Sequence, residues 1–146
     1  RQGLPVFDRN KYPSAEELRN GGYIMQNCDG DPDMVIIATG SEVWVALEAA
    51  EKIVGYNVRV VNIGCWEIFD EQSEEYRQSV LGSDSALRVS IEAGITTGWE
   101  HYTGLNGLNI GINTFGESAP GGDVADHFGI APEKAADCIR KHLNSL

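Results

Sequence analysis

Residues 33–43 read Asp-Met-Val-Ile-Ile-Ala-Thr-Gly-Ser-Glu-Val. Val35, Ile36 and Ile37 are apolar without alternation, which is typical of a strand that is covered on both faces in a parallel sheet. Gly40 allows a tight turn, and the amphipathic pattern that follows it indicates a helix. This succession of strand, turn and helix predicts an α/β fold.

Four further segments predict the other strands of the sheet. Residues 23–26 are separated from the first strand by only a short turn, so we expect them to run antiparallel at an edge and to pair with residues 34–38 or near them. The remaining predicted strands are 58–63, 86–91 and 109–112. We therefore predict a three-layer α/β/α sandwich around a five-stranded mixed sheet with one antiparallel edge strand.

The segments between the strands predict helices for both faces of the sheet. Asp70 is the expected N-cap of an acidic helix that runs to about Val80, and residues 99–102 predict a brief helix. Pro132 fits the first position of a closing helix. The helix after Gly40 is expected to bury Val43, Leu47, Ala50 and Val54, and the closing helix to bury Ala135, Ala136, Ile139 and Leu143.

Composition excludes several classes of function. The 146 residues include 22 Asp and Glu against 11 Lys and Arg, so the formal net charge of -11 repels nucleic acid and anionic lipid. Every apolar run is far shorter than the roughly 20 residues of a membrane span. Cys28, Cys65 and Cys138 lack zinc-site spacing, and we expect them to be reduced packing residues of a cytoplasmic protein.

The carboxyl ends of the predicted parallel strands should lie on one rim of the sheet, where ligands of open parallel sheets bind. On this rim, Thr39 or Ser41 could hold a phosphate at the helix N-terminus, or its hydroxyl could cap that helix. We favour the cap, because Glu42 occupies the positive end of the helix and would repel a phosphate.

Glu92 and Glu117 follow the last two predicted strands, and two facing carboxylates suit general acid–base catalysis. However, spacing places no nucleophile, histidine or set of metal ligands near them. We therefore expect both glutamates to bond loop N–H groups or to contact a partner surface. The residues alone assign no catalytic group and no metal site.

Several short segments occur in a characteristic order. They are residues 36–43 (Ile-Ile-Ala-Thr-Gly-Ser-Glu-Val), 69–70 (Phe-Asp), 76–81 (Tyr-Arg-Gln-Ser-Val-Leu), 88–94 (Arg-Val-Ser-Ile-Glu-Ala-Gly), 104–107 (Gly-Leu-Asn-Gly), 115–120 (Phe-Gly-Glu-Ser-Ala-Pro) and 127–130 (His-Phe-Gly-Ile). In this order they resemble the C-terminal, third domain of transketolase. The opening Arg-Gln-Gly-Leu-Pro resembles the end of that family's preceding domain.

This resemblance implies the organisation and activity of a larger enzyme. Residues 1–20 would be an interdomain linker and residues 21–146 the C-terminal domain, so we expect a piece of a longer chain. The resemblance implies a homodimeric transferase of the pentose phosphate pathway, which moves a two-carbon ketol unit between sugar phosphates. Thiamine diphosphate and a divalent metal, Mg²⁺ or Ca²⁺, would be bound by the upstream domains.

Within that enzyme the resemblance implies a structural, dimer-supporting role for this segment, which would be inactive alone. Arg1 matches the family's arginine that contacts the substrate phosphate, a role that suits the guanidinium fork. Two alternatives stay open. One is a regulatory module that binds a small molecule at the rim, and the other is the equivalent domain of another thiamine diphosphate enzyme, such as a 1-deoxyxylulose phosphate synthase or the β chain of a keto acid dehydrogenase.

Overall fold

A computed structural model describes residues 4–146, which form a five-stranded sheet between helices. The strands are β1 (Gly22–Gln26), β2 (Met34–Ala38), β3 (Val58–Ile63), β4 (Leu87–Ile91) and β5 (Leu108–Ile110). Their order across the sheet is β1-β3-β2-β4-β5. The pair β1–β3 is antiparallel and the other pairs are parallel, so the predicted mixed sheet with an antiparallel edge strand is confirmed.

The edge strand β1 pairs with β3 and not with its neighbour in sequence, β2. β2 is the central strand, and both of its edges already carry parallel partners, β3 on one side and β4 on the other. Because β2 has no free edge, β1 pairs with the outer edge of β3, one strand away from β2. The register runs from Gly22 opposite Ile63 to Gln26 opposite Val60, with an irregularity between Ile24 and Gln26.

Within residues 4–146, six α-helices cover the sheet, and a short 3-10 helix, Ala15–Asn20, precedes β1. Pro132 occupies the first turn of the closing helix, as predicted. The α-helices are α1 (Glu42–Ala50), α2 (Trp66–Asp70), α3 (Glu74–Leu81), α4 (Glu100–Thr103), α5 (Gly121–His127) and α6 (Pro132–Leu143).

Two helix boundaries differ from the prediction. Helix α1 ends at Ala50, so Val54 lies beyond its buried face and is 87% exposed. Asp70 ends α2 and does not begin a helix. The N-cap of α3 is Ser73, whose side chain accepts a hydrogen bond from the backbone N–H of Tyr76, because a separate turn interrupts the predicted helix after Asp70.

The central strand separates two apolar cores. Met34, Ile36 and Ala38 point into one core, which contains α1 and α6. Val35 and Ile37 point into the other, which is closed by side chains of α2, α3 and α4. All five residues of β2 have no exposed surface, so the predicted doubly covered strand is confirmed.

The described part of the predicted linker packs against α1. The Phe7 ring stacks on Trp44 with a centroid distance of 4.5 Å, and Tyr12 is buried beside them. The Trp44 indole also donates a hydrogen bond to the Pro5 carbonyl at 3.2 Å. The boundary between linker and domain at residue 20 stays a prediction.

Over residues 4–146, no helix combines the length and the apolar composition that crossing a bilayer requires.

Candidate functional site

The turn between β2 and α1 carries two of the predicted rim residues. Ser41 makes no capping hydrogen bond to the helix backbone, so the cap predicted for its hydroxyl is wrong. Instead, Ser41 Oγ donates to Glu42 Oε1 at 2.7 Å, because that carboxylate lies within reach at the first helical position. Thr39 contributes its carbonyl, which accepts the Glu42 N–H at 3.1 Å. A carboxylate therefore occupies the positive end of α1.

Glu92 and Glu117 differ in their surroundings. Glu92 is half-buried, and its Oε2 accepts a hydrogen bond from the Trp99 indole at 2.9 Å. Glu117 is exposed, and within the described residues no hydrogen bond or salt bridge joins it to Glu92. The two carboxylates are thus not brought together by a direct contact, and Glu92 orients Trp99.

The loops that follow β4 and β5 are bonded to each other. Asn113 Oδ1 accepts hydrogen bonds from both the backbone N–H and the hydroxyl of Thr96, each at 3.0 Å. The Ile112 N–H donates to the Gly94 carbonyl at 2.7 Å. Gly111 lies so close that a Cβ there would come within 2.6 Å of the same carbonyl oxygen. These contacts make this part of the rim a fixed surface.

That surface exposes apolar side chains. Ile95 is 63% exposed on the first loop, and Phe115 is 97% exposed on the second. In the same region of the chain, Trp66 packs edge-on against Trp99, which lies four residues after Ile95, with a centroid distance of 4.9 Å. This part of the rim thus carries exposed apolar side chains on loops that are bonded to each other.

A second group of polar residues lies between α2 and α4. The Tyr102 hydroxyl donates to Asp70 Oδ1 at 3.1 Å, and His101 Nε2 lies 3.1 Å from Asp70 Oδ2. Burial and then the hydrogen bond to Asp70 raise the pKa of Tyr102 above its ordinary value. Asp70, expected as a helix cap, thus ties α2 to α4.

Next to this group a cavity of about 220 Å³ contains two arginines that the sequence did not single out. Arg88 donates to the carbonyls of Leu81 and Gly82 at 3.3 Å, so it binds the C-terminal end of α3. Arg77 Nε is buried and has no hydrogen-bond partner among the described residues. Arg77 precedes the buried Val80 by three residues, a helical spacing that signals a shared face.

The described residues do not form a metal centre. Within residues 4–146, no three His, Cys, Asp or Glu side chains are grouped so that they could hold a metal ion. Arg1, the residue that the resemblance assigns to substrate phosphate, lies outside the described residues. We derive no reaction step through the side chains of residues 4–146.

Comparison with known proteins identifies the family. Residues 21–131 match the transketolase-like TK C-terminal domain. The chain is 48% identical to transketolase of Aquifex aeolicus over 141 aligned residues. The alignment covers 95% of this chain and 20% of that protein. It is 45% identical over 145 residues to transketolase 2 of Escherichia coli, with 98% and 22% covered.

The fold agrees with a solved transketolase. Transketolase from Leishmania mexicana superposes with a TM-score of 0.80 at 38% identity, which covers 90% of this chain and 19% of that one. The chain thus spans about a fifth of the length of the relatives that it matches. With a domain match over residues 21–131 and identities of this size, the chain belongs to the transketolase family.

Proposed function

We propose that this chain acts as the C-terminal domain of a transketolase, the transferase that moves a two-carbon ketol unit between sugar phosphates. The observation that supports this proposal is the domain match over residues 21–131, together with relatives that are about five times as long. In this proposal thiamine diphosphate and Mg²⁺ or Ca²⁺ are held by upstream domains, and the enzyme is a cytoplasmic homodimer. The three unpaired cysteines are in keeping with a reducing compartment.

The proposed role of this domain is to support assembly. Thr39, Ser41, Glu92 and Glu117 surround the rim, and we propose that they contact the upstream domains or the second subunit. The fixed loops after β4 and β5 favour such a role, because they hold Ile95 and Phe115 exposed at their surface. Exposed apolar side chains that are grouped on a surface often mark protein contact surfaces, and the hydrogen bonds between the two loops bring together the segments that carry Ile95 and Phe115.

Arg1 has the one proposed contact with substrate. Its guanidinium would bind the phosphate of the sugar through two parallel N–H donors, which holds the substrate without taking part in bond making. Removal of such a contact weakens substrate binding more than it slows the chemical step.

A chimera tests the function. In it this chain replaces the matching segment of Escherichia coli transketolase 2, and we expect the chimera to retain ketol transfer. Arg1→Leu in the chimera should raise KM for the sugar phosphate by roughly tenfold or more, with a smaller change in kcat. The matched control is Arg9→Leu, an exposed arginine whose loss should leave both constants unchanged.

Two outcomes would contradict the proposal. A chimera that folds and dimerises but transfers no ketol unit would remove the assignment to transketolase assembly. An Arg1→Leu chimera with the parent KM would leave the assembly role intact and remove the phosphate contact.

A further inference from the structure

The cavity beside Arg77 lies apart from the rim. It has a volume of about 220 Å³, and α2, α3, α4 and the start of β4 supply its walls. Sites for drug-sized molecules usually occupy about 300–1,000 Å³, so this cavity suits a smaller molecule. Most of its lining residues carry charged or polar side chains.

Two of its three carboxylates already have partners. Asp70 accepts the hydroxyl of Tyr102 at 3.1 Å and faces the ring nitrogen of His101 at the same distance. Glu74 Oε1 accepts the side-chain amide of Gln78 at 3.3 Å. Neither carboxylate forms a salt bridge with an arginine within the described residues.

The two arginines of the cavity differ in what they bind. Arg88 lies 3.4 Å from the third carboxylate, Asp84, and donates to main-chain carbonyls of α3 and the following loop. Arg77 makes no side-chain hydrogen bond to any residue from 4 to 146, and its Nε is buried. The other arginines with limited exposure, Arg59 and Arg140, each donate to protein oxygens.

We propose that Arg77 binds a small oxyanion, a carboxylate or a phosphate group, in this cavity. The two terminal nitrogens of a guanidinium lie side by side and match two oxygens of such a group, whereas the buried Arg77 Nε is closed to a ligand in the cavity. One unpaired cation among partnered carboxylates fits a ligand with a single anionic group, and the nearby acids repel polyanions. This proposal does not depend on the proposed transketolase activity.

The test follows the side-chain Nε–H signal of Arg77 by NMR in the isotope-labelled 146-residue chain. Inorganic phosphate and acetate are titrated separately, with chloride at matched ionic strength as the reference. We expect one arginine Nε–H signal to shift saturably with at least one of the two anions and not with chloride. Whichever anion saturates identifies the preferred oxyanion.

Variants assign the site. The variants are followed by the backbone amide signals of residues around the cavity, because the Arg77 side-chain signal is lost with the arginine. Arg77→Gln should abolish their saturable response, and Arg19→Gln, at an exposed arginine, should leave it unchanged. If Arg77→Gln fails to fold, Arg77→Lys decides the matter, because it keeps the charge but loses the fork and should bind about tenfold more weakly or worse. Signals that respond only linearly to both anions, or a saturable response of parental affinity in Arg77→Gln or Arg77→Lys, would overturn the proposal.

Discussion

Ile36 lies at the centre of the molecule and has no exposed surface. We predict that Ile36→Ala lowers the free energy of unfolding by about 2–5 kcal/mol, because it removes buried methyl groups and leaves a cavity between strands and helices. The measurement is urea unfolding of both proteins. Val54→Ala is the control, since Val54 is 87% exposed and its truncation should change stability by about 0.5 kcal/mol or less. Equal, small effects of the two substitutions would contradict the doubly covered sheet.

Tyr102 should make stability depend on alkaline pH. Burial, with a smaller effect of the Asp70 hydrogen bond, raises the pKa of Tyr102 in the folded chain, whereas the unfolded chain titrates near pH 10. Its stabilising contribution is therefore complete below about pH 10 and is lost as the pH rises towards the folded-state pKa. We predict that stability falls with rising pH above about 10 less steeply in Tyr102→Phe than in the wild type.

Chemical denaturation at a series of pH values measures this slope. Tyr56→Phe is the matched control, because Tyr56 is exposed and its hydroxyl makes no side-chain hydrogen bond within the described residues. Its slope should equal that of the wild type. The same slope in Tyr102→Phe would show that Tyr102 does not couple its ionisation to folding.

Helix α3 shows how a short element is held at both ends. Ser73 accepts the Tyr76 N–H at 3.2 Å at its start. At its end, Arg59 donates to the carbonyls of Ser79 and Val80, so a positive charge lies at the negative end of the helix dipole. An eight-residue helix is marginal alone, and these bonds, together with its buried residues, fix it on the sheet.

A pair of serine substitutions tests which hydroxyl caps a helix. Ser73→Ala should lower stability by about 0.5–2 kcal/mol, because it leaves an N–H of the first turn unsatisfied. Ser41→Ala should change stability by about 0.5 kcal/mol or less, because Ser41 bonds only the neighbouring Glu42 side chain. Thermal unfolding measures both, and a larger loss in Ser41→Ala than in Ser73→Ala would reverse the assignment.

The strands were predictable because each is a run of apolar residues bounded by turn residues, and a doubly covered strand such as β2 has a distinctive pattern. The pairing partner of β1 was not predictable. Local sequence shows that a short turn reverses the chain, but it does not show which strand of the sheet has a free edge. Helix ends were also hard to place. Asp70 and Ser73 are both good caps three residues apart, and only tertiary contacts select Ser73.

The candidate sites were predictable to different degrees. The alignment of the strand ends followed from the sequence because the strands are parallel, and the role of the rim residues stays a prediction. The cavity beside Arg77 did not, since it depends on how α3 lies against α4. An arginine in an acidic helix ordinarily indicates a solvated face, and the burial of Arg77 Nε becomes visible only when its neighbours are in place.

For the molecule as a whole, the fold and the sequence both place the chain in the same family. The chain corresponds to about a fifth of the length of its relatives. Within residues 4–146 the polar groups hold helices, loops and aromatic rings in place, and none of them forms a metal centre. In the proposed function, the chemistry belongs to upstream domains and this chain has a role in assembly.

An assay of the isolated 146-residue chain tests most directly whether catalysis belongs to the upstream domains and not to this chain. The purified chain is first shown to be folded by a cooperative unfolding transition, and is then incubated with thiamine diphosphate, Mg²⁺, xylulose 5-phosphate and ribose 5-phosphate. We predict no ketol transfer above the protein-free rate. Transfer that follows the concentration of the folded chain would contradict the assignment of catalysis to other domains.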